Sequence, residues 1–290
     1  MMLFVLAWRN IWRSKRRSLI IGFSLVIGLW AGIFIVAFYN GLIEQRLKTG
    51  IQQEISHLQV HASHFMEDHE VQYVLQDGYG TLSQIQNMDS VKAATGRVVL
   101  YGMVSNARGN AGIKMNGILP TLESKVTQLN QRITEGSYLN HPEKNEILIS
   151  KRLSDKLNAR LKAKIILTFQ DKEGSLASAA FRVCGIYESV NSNYDELNVF
   201  VHAHTLDTLA GIPNTIHEIA ILLQSAKEVD SGQAKLSRTF PSLEIKDWKQ
   251  ISPELGLTSS VSNQMIFIYM GIILLALSFG IINTMLMSVL

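Results

Sequence analysis

Several features that are common in proteins are scarce in this 290-residue chain. It has a single cysteine, Cys184, so an intramolecular disulfide is excluded and any folded domain must be stable through its own core. Only five prolines are spread along the chain, so no proline-rich linker divides it. No charged residue occurs from Ser18 to Ile43, and none follows Glu254. These two charge-free ends are the first indication of the class of protein.

The sequence motifs of common enzyme classes are also absent. The chain has no G-x-x-x-x-G-K-[ST] phosphate-binding loop, no G-x-S-x-G nucleophile turn and no H-E-x-x-H metal-binding helix. Its acidic residues show no spacing typical of a catalytic pair. The sequence therefore predicts no catalytic, cofactor-binding or metal-binding residue, and no cofactor.

The histidines are the one group that suggests a metal site. They cluster at His57, His61, His64 and His69, with a second pair at His202 and His204. On a strand with about 3.3 Å per residue, His57 and His61 would lie about 13 Å apart, too far for one ion. No cysteine or compact acidic pair completes a ligand set. Solvent-facing strand positions are therefore the preferred interpretation of residues 56–61.

The N-terminal charge-free run has the dimensions of a membrane-spanning helix. Residues 18–39 would form a helix about 33 Å long at about 1.5 Å per residue, close to the hydrocarbon thickness of a bilayer. A secretory signal peptide has a shorter apolar region, of about 7–15 residues, that ends in a small-residue cleavage site. The stretch VAFYNGLIE contains no such site. A retained transmembrane helix is therefore predicted over residues 18–40.

The charges around this helix predict its orientation. Five cations and no anion precede it, whereas acidic and basic residues are mixed from Glu44 onward. Because basic flanks are retained in the cytoplasm, the N-terminus is predicted to be cytoplasmic and residue 44 to lie outside. Residues 1–17, with Trp8 and Trp12 suited to the headgroup layer, are predicted to form a basic amphipathic segment on the inner leaflet.

A second apolar run ends the sequence. Residues 264–290 are uncharged and are predicted to form a second transmembrane helix that returns to the cytoplasm. No lysine or arginine follows to anchor that end, so the sequence is expected to be a fragment of a longer protein. Two features suggest helix–helix contacts within the membrane. They are the small-xxx-small pattern of Gly28 and Gly32 and the polar residues Asn283 and Thr284.

Residues 41–263 have the composition of a globular domain placed between the two apolar runs. The net charge of +3 reflects the N-terminal cations and does not indicate nucleic-acid binding. Periodicity predicts helices over 79–87 and 226–240, hairpins over 97–120 and 164–189, strand–helix pairs over 145–161 and 197–211, and single strands over 55–61, 216–224 and 243–248. The predicted class is α+β.

A basic stretch follows the strand that ends at Ser150. Its members are Lys151, Arg152, Lys156, Arg160, Lys162 and Lys164. With only Asp155 as counter-charge, it could face lipid headgroups or an acidic partner, but a solvated helix face is the preferred interpretation. Ser150 is predicted to cap this helix, and Leu153, Leu157 and Leu161 to form its buried stripe.

An ordered set of short stretches resembles one known family. AWRNIWRSKRRSLIIGFSLVIG (7–28) is similar to the N-terminal segment and first helix of the FtsX-like, MacB-type permeases of ABC transporters. FGIINTMLMSVL (279–290) is similar to the end of their second helix. Between them, IKMNGILP, ITEGSYL, NEILISKRLSDKL and FRVCGIYES occur in the family's order, and the lipoprotein-releasing branch is most similar. Residues 162–164 (KAK) depart from the Gly-Asp that the family often has there, which leaves the geometry of this turn open.

The resemblance implies a membrane protein in which two transmembrane helices flank a large extracytoplasmic α+β domain, the MacB-like periplasmic core domain. It implies a multi-pass permease of the bacterial inner membrane with no enzymatic activity of its own. The implied partners are a separate ABC ATPase subunit, a second permease copy or paralogue in a dimer, the lipid bilayer and a lipoprotein substrate, with no nucleic acid. Stalk helices over 44–53 and 251–264 would pass ATP-driven closure to the outer domain.

Other branches of the permease family, and one other class of membrane protein, remain as alternatives. In one paralogue of the lipoprotein-releasing branch, a hairpin that corresponds to residues 170–179 carries an extended hook for a periplasmic chaperone. The hairpin here is short, so the resemblance does not imply direct chaperone docking. Efflux permeases and permeases that regulate cell-wall hydrolases are alternatives, as is a two-helix receptor with an outer sensing domain. The complete gene distinguishes these classes, because a permease requires two further apolar spans.

Overall fold

The computed structural model describes residues 15–141 and 144–289. These residues form two compact units, one of residues up to Leu47 together with those from Glu254 onward, and one of residues Lys48–Pro253, the outer domain. The predicted amphipathic segment with Trp8 and Trp12 lies outside the described residues, as do the side chains of Asn283 and Thr284.

The described residues form ten α-helices and ten strands. The helices are α1 (Lys15–Gly50), α2 (Phe65–Asp68), α3 (Gly78–Gln86), α4 (Pro120–Val126), α5 (Lys151–Leu157), α6 (Ser192–Leu197), α7 (Ala203–Leu209), α8 (Val229–Thr239), α9 (Trp248–Ile251) and α10 (Pro253–Val289). The strands are β1 (Leu58–Ala62), β2 (Val91–Ser105), β3 (Asn110–Ile118), β4 (Ile133–Gly136), β5 (Glu146–Ser150), β6 (Lys164–Gln170), β7 (Leu176–Tyr187), β8 (Asn198–His202), β9 (Glu218–Leu223) and β10 (Leu243–Asp247). A π-helical turn (Ile51–Ile55) follows α1, and 3₁₀ turns cover Leu129–Arg132 and Ala226–Glu228.

The helical unit consists of α1 and α10. Among the described residues, Gly22–Ile55 is the one helix long and apolar enough to cross a membrane, with a mean hydropathy of 2.1 over its 18-residue apolar stretch. The helix α10 contributes a shorter apolar stretch, Met265–Gly280. At Gly32, a Cβ would lie 2.9 Å from Cδ1 of Ile273, so the glycine lets the side chain of Ile273 pack directly against the backbone of α1. The helix contact predicted from the small-xxx-small pattern is thus confirmed at Gly32.

One mixed sheet of ten strands forms the outer domain. Its order is β10-β1-β9-β2-β3-β8-β5-β7-β4, and β6 pairs with both β2 and β7. The pairs β2–β3, β3–β8, β8–β5, β5–β7, β7–β6 and β6–β2 therefore close a six-stranded ring. The strands β10, β1 and β9 form an open part of the sheet beside this ring. The long strand β2 belongs to both the ring and the open part, because its first half pairs with β9 and its second half with β3 and β6.

The ring and the open part of the sheet share one apolar core. Buried positions alternate along β6, where Ile165, Leu167 and Phe169 are buried, as expected for a strand with one face toward a closed ring. All six residues of β9 are buried, because this strand lies within the sheet and is covered on both faces. The same cluster includes Leu58 and Val60 of β1 and Leu236 of α8.

Most elements predicted from periodicity are present. The hairpin turning at Gly109–Asn110, the hairpin over 164–189 and the strand–helix pair at Ser150 are confirmed. The side chain of Ser150 accepts a hydrogen bond from the backbone N–H of Leu153, as predicted for an N-cap. The predicted leucine stripe is wrong at Leu161, because α5 ends at Leu157 and Asn158 adopts a left-handed conformation. The helix α4 and the strand β4 were not predicted.

Candidate functional site

Both chain connections of the outer domain meet at one pair of strands. The strands β1 and β10 are antiparallel neighbours, and Leu58 at the start of β1 is the register partner of Asp247 at the end of β10. Two residues separate the π-helical turn from β1, and α9 follows β10 directly. The backbone N–H of Trp248 donates to the carbonyl of His57 at 3.2 Å. The beginning and the end of this domain are therefore joined by the sheet itself.

A cavity of about 270 Å³ lies beside this pair of connections. The π-helical turn contributes Glu54 and Ile55 to its wall, and α9 contributes Ile251. The sheet contributes charged groups, among them Arg97 and Glu218. The cavity thus brings the two connections together with the most highly charged buried part of the domain.

A buried ion network joins three elements at this cavity. Nε and Nη2 of Arg97 on β2 donate to the two carboxylate oxygens of Glu123 on α4, at 3.0 and 2.7 Å. Nη1 of Arg97 donates to Oε1 of Glu218 on β9 at 2.7 Å. The three residues are 4%, 0% and 2% exposed, respectively. The hydroxyl of Thr127 also donates a hydrogen bond to Oε1 of Glu123, at 2.9 Å.

The electrostatics of this network keep Arg97 and Glu218 charged. Burial alone would raise the pKa of Glu218, but the positive charges of Arg97 and Lys114 outweigh it and lower that pKa. Burial would lower the pKa of Arg97, and the two carboxylates raise it instead. Burial lowers the pKa of Lys114, which lines the same cavity. The hydrogen bonds of Arg97 to Glu123 and Glu218 therefore hold α4, β2 and β9 together.

His57, directly before β1, and His61 on β1 are buried, so the prediction that they face solvent is wrong. His57 is 4% and His61 0% exposed, because β1 lies between β10 and β9 and both of its faces are covered. Nδ1 of His57 accepts a hydrogen bond from the backbone N–H of Leu223 at 3.0 Å. The ring of Phe65 lies between the rings of His61 and His217, with centroids 5.3 and 5.1 Å away.

These histidines are bound to the protein's own polar groups. Nε2 of His61 pairs with Oε1 of Gln59 at 3.0 Å, and Nδ1 of His217 accepts from the backbone N–H of Val99 at 3.1 Å. Burial lowers the pKa of His61 and of His217 to about 4 in each case. Within residues 15–141 and 144–289, no group of three His, Cys, Asp or Glu side chains is placed to hold a metal ion.

All six basic residues of the predicted stretch are exposed. Arg152 pairs with Glu196 at 2.8 Å, whereas Lys162 and Lys164 line an open groove of about 810 Å³ together with Lys144 and Arg182. The turn that departs from the family sequence has a left-handed residue at Lys162, with a φ of 65°, a conformation that glycine adopts more readily. The choice between a solvated surface and one that faces lipid headgroups or an acidic partner stays a prediction.

Comparison with known proteins places the chain in a family. Residues 18–239 match the MacB-like periplasmic core domain. This chain belongs to the MacB-like permease family. The predicted fold class is confirmed at this level: an N-terminal apolar helix is followed by a MacB-like periplasmic core domain with a mixed sheet. Members of the family are the non-enzymatic permease subunits of ABC transporters, which associates this chain with a membrane.

Individual relatives are distant. The chain is 21% identical over 300 residues to the "Lipoprotein-releasing system transmembrane protein LolC" of Neisseria meningitidis serogroup B, covering 96% of this chain and 68% of that protein. Two solved domains are also similar. The extracellular domain of the ABC-type transporter YknZ from Gram-positive bacteria is 16% identical with a TM-score of 0.46, covering 66% of this chain and 98% of that one. The periplasmic region of MacB from Actinobacillus actinomycetemcomitans is 13% identical with a TM-score of 0.49, covering 71% and 94%.

Sequence reasoning missed the buried ion network of this MacB-like domain. One signal was present, because Glu218 directly precedes the apolar run IAILL (219–223), and a charge in a buried strand requires a partner. The partners, however, are distant in sequence, and only the pairing of β2 with β9 places Arg97 opposite Glu218. The prediction that the chain has no catalytic or cofactor-binding residue stays a prediction.

Proposed function

We propose that this chain is a permease subunit that couples ATP hydrolysis by a separate cytoplasmic subunit to movement of the outer domain, and that the transported substrate is a lipoprotein leaving the inner membrane. The observation that carries the proposal is the junction of β1 and β10. Because Leu58 and Asp247 are register partners, a displacement delivered through either connection acts on the same edge of the sheet. Family membership supports the permease role, and the name of the Neisseria relative supports the substrate class.

The proposal includes a topology and an assembly. The N-terminus is cytoplasmic, the helices over 18–40 and 264–290 cross the membrane, and residues 41–263 are extracytoplasmic. The active unit contains two permease chains and an ATPase. A reporter fused at residue 5 should behave as cytoplasmic, and one fused at the exposed turn near Gly174 should behave as extracytoplasmic.

A flexible insertion tests the coupling. In the complete protein with its ATPase, a Gly/Ser segment inserted near Leu257 in α10 should leave ATP hydrolysis intact and abolish release of an acylated protein from the membrane. The reason is that a flexible coil does not transmit displacement as a helix does. The same segment inserted at Gly174, at the tip of the β6–β7 hairpin, is the matched control and should preserve release.

The outcomes separate the alternatives. Release retained at the wild-type level with the insertion near Leu257 contradicts mechanical coupling. Transport of a peptide or macrolide in place of an acylated protein would assign the chain to the efflux branch. A complete gene that encodes a soluble signalling module after Leu290 would support the receptor alternative.

A further inference from the structure

The last turn of the N-terminal helix has an unusual backbone. Residues Ile51–Ile55 form a π-helical turn, closed by a hydrogen bond of 2.6 Å from the backbone N–H of Ser56 to the carbonyl of Ile51. Ser56 has a φ of 74° and a ψ of 172°, a region that is essentially restricted to glycine. Isolated π turns and strained residues occur frequently at functional positions of proteins. The transition from helix to β1 is therefore a strained joint.

Side chains from three separate elements hold this joint. Nη2 of Arg132, at the end of a 3₁₀ turn, donates to the carbonyl of Gln53 at 2.9 Å. Nδ2 of Asn191, which caps α6, donates to the carboxylate of Glu54 at 2.9 Å. Nε2 of Gln59, on β1, donates to the carbonyl of Ile55 at 2.7 Å. We refer to Arg132, Asn191 and Gln59 as the clasp.

Two of the three clasp contacts bind backbone carbonyls of the kind that a helix end leaves without partners. The last four carbonyls of a helix accept no hydrogen bond from within the helix, and a cation near them is favoured by the helix dipole. The clasp side chains donate hydrogen bonds to three consecutive residues of the turn, Gln53, Glu54 and Ile55. Nη2 of Arg132 also donates to the carbonyl of Thr127 at 3.3 Å, which links the turn to the segment after α4.

The second connection of the outer domain is built differently. Its short helix α9 has a capping box between Asp247 and Gln250, so its hydrogen bonds are mainly local. Ser252 then interrupts the helical conformation before Pro253 begins α10. The first connection is thus held by distant elements, whereas the second contains a single non-helical residue.

We propose that the clasp makes the N-terminal connection the rigid input of the outer domain, with Arg132, Asn191 and Gln59 acting as positioning residues for coupling. A displacement of the end of α1 then reaches the segment after α4 through Arg132, the start of α6 through Asn191 and β1 through Gln59. The contacts are made to neutral carbonyls and to one exposed amide–carboxylate pair, so they are releasable, unlike the buried Arg97 network. This inference rests on the proposed coupling function.

Two measurements on the complete protein with its ATPase test the clasp. The first is amide hydrogen exchange at Ser56, whose N–H closes the π turn. In Arg132→Gln, exchange at Ser56 should accelerate about tenfold or more, as expected from loss of a charge-assisted hydrogen bond. Arg152→Gln, which removes an exposed pair outside the clasp, is the matched control and should leave Ser56 unchanged. Unchanged exchange in Arg132→Gln would overturn the clasp.

The second measurement is substrate released per ATP hydrolysed. Arg132→Gln and Asn191→Ala should each lower this ratio while hydrolysis continues, and Arg132→Lys should restore it in part because a donor remains. Faster exchange at Ser56 with an unchanged ratio would reduce the clasp to a structural role and overturn the coupling proposal. If the wild-type protein releases no substrate, the proposed function fails, and the exchange result still decides whether the clasp exists. Asn191→Ala serves as the test if Arg132→Gln does not fold, because Asn191 is exposed.

Discussion

The two compact units of this chain differ in where their large apolar side chains lie: mostly on the surface of the helical unit, and mostly in the interior of the outer domain. In the helical unit, large side chains such as Phe23, Phe34 and Phe267 are 69%, 57% and 78% exposed, and a glycine, Gly32, is buried on α1. In the outer domain, large side chains such as Phe65, Phe169 and Phe181 are at most 2% exposed, and most charged residues lie on the surface. The comparison indicates that α1 suits a bilayer, whereas the outer domain suits water.

The units also differ in whether they contain charged residues away from water. The apolar runs of α1 and α10 exclude charged residues, because a bilayer supplies no compensation for them. The outer domain buries three charges together, and it can do so because Arg97 reaches both carboxylates. Four changes test this contrast, ordered from the largest to the smallest effect expected per residue.

The largest effect is expected from breaking the buried ion network. Arg97→Met should lower the free energy of unfolding by about 3–5 kcal/mol, because Glu123 and Glu218 would remain buried without a counter-charge. Urea-induced unfolding measures this loss. Arg152→Met, at an exposed pair with Glu196, is the matched control and should cost no more than about 1 kcal/mol. A loss for Arg97→Met as small as that of the control would show that the network is dispensable.

A charge on the exposed face of α1 should have the next largest effect. Phe34→Arg should raise the free energy of membrane insertion by about 3 kcal/mol. The fraction of protein that resists alkaline extraction from membranes measures the change, with Phe34→Leu as control. The fold of the outer domain should be unaffected, since Phe34 lies in the other unit. Equal extraction of Phe34→Arg and wild type would contradict the assignment of this helix to the bilayer.

Lower pH should destabilise the outer domain through its buried histidines. The pKa of His61 and of His217 is lowered from 6.5 to about 4 in the folded state. Between these pH values the unfolded chain binds protons that the folded chain does not. The stabilisation is therefore complete above pH 6.5 and is lost as the pH falls through about 4, by about 3 kcal/mol for each histidine.

Urea midpoints measured between pH 7.5 and pH 4.5 report this loss. His61→Gln should flatten the pH dependence, whereas His204→Gln, at an exposed position, should not. A midpoint that stays constant over this range in the wild type would mean that these rings are accessible to protons in the folded protein.

The smallest effect is expected at a helix cap. Ser150→Ala should lower the free energy of unfolding by about 1–2 kcal/mol, because the N–H of Leu153 loses its acceptor. Ser150 is buried and its hydroxyl also donates to the carbonyl of Asp195, which favours the upper part of that range. Ser175→Ala, at an exposed hairpin tip, should change stability by less than about 0.5 kcal/mol. Indistinguishable losses for the two variants would argue against the capping role of Ser150.

Local pattern was sufficient for most of the secondary structure. Strands and helices with clear periodicity, such as the hairpin at Gly109–Asn110 and the helix capped by Ser150, form where the sequence predicts them, because each depends on residues close together in the chain. The short strand β4 was missed because its four residues carry no alternation and are held only by pairing with β7. The exposure of β1 was mispredicted because a strand with polar residues does not reveal whether neighbours cover it.

By itself, the sequence determined the charge-free spans, the orientation suggested by the flanking cations, the α+β class and the family resemblance, because each follows from composition or local order. Tertiary structure alone decided three other features: the closure of six strands into a ring, the meeting of Arg97 with Glu123 and Glu218, and the clasp around the π turn. The physical reason is sequence distance. Arg132 contacts Gln53 across 79 residues and Arg97 contacts Glu218 across 121, and no local pattern carries information over such separations.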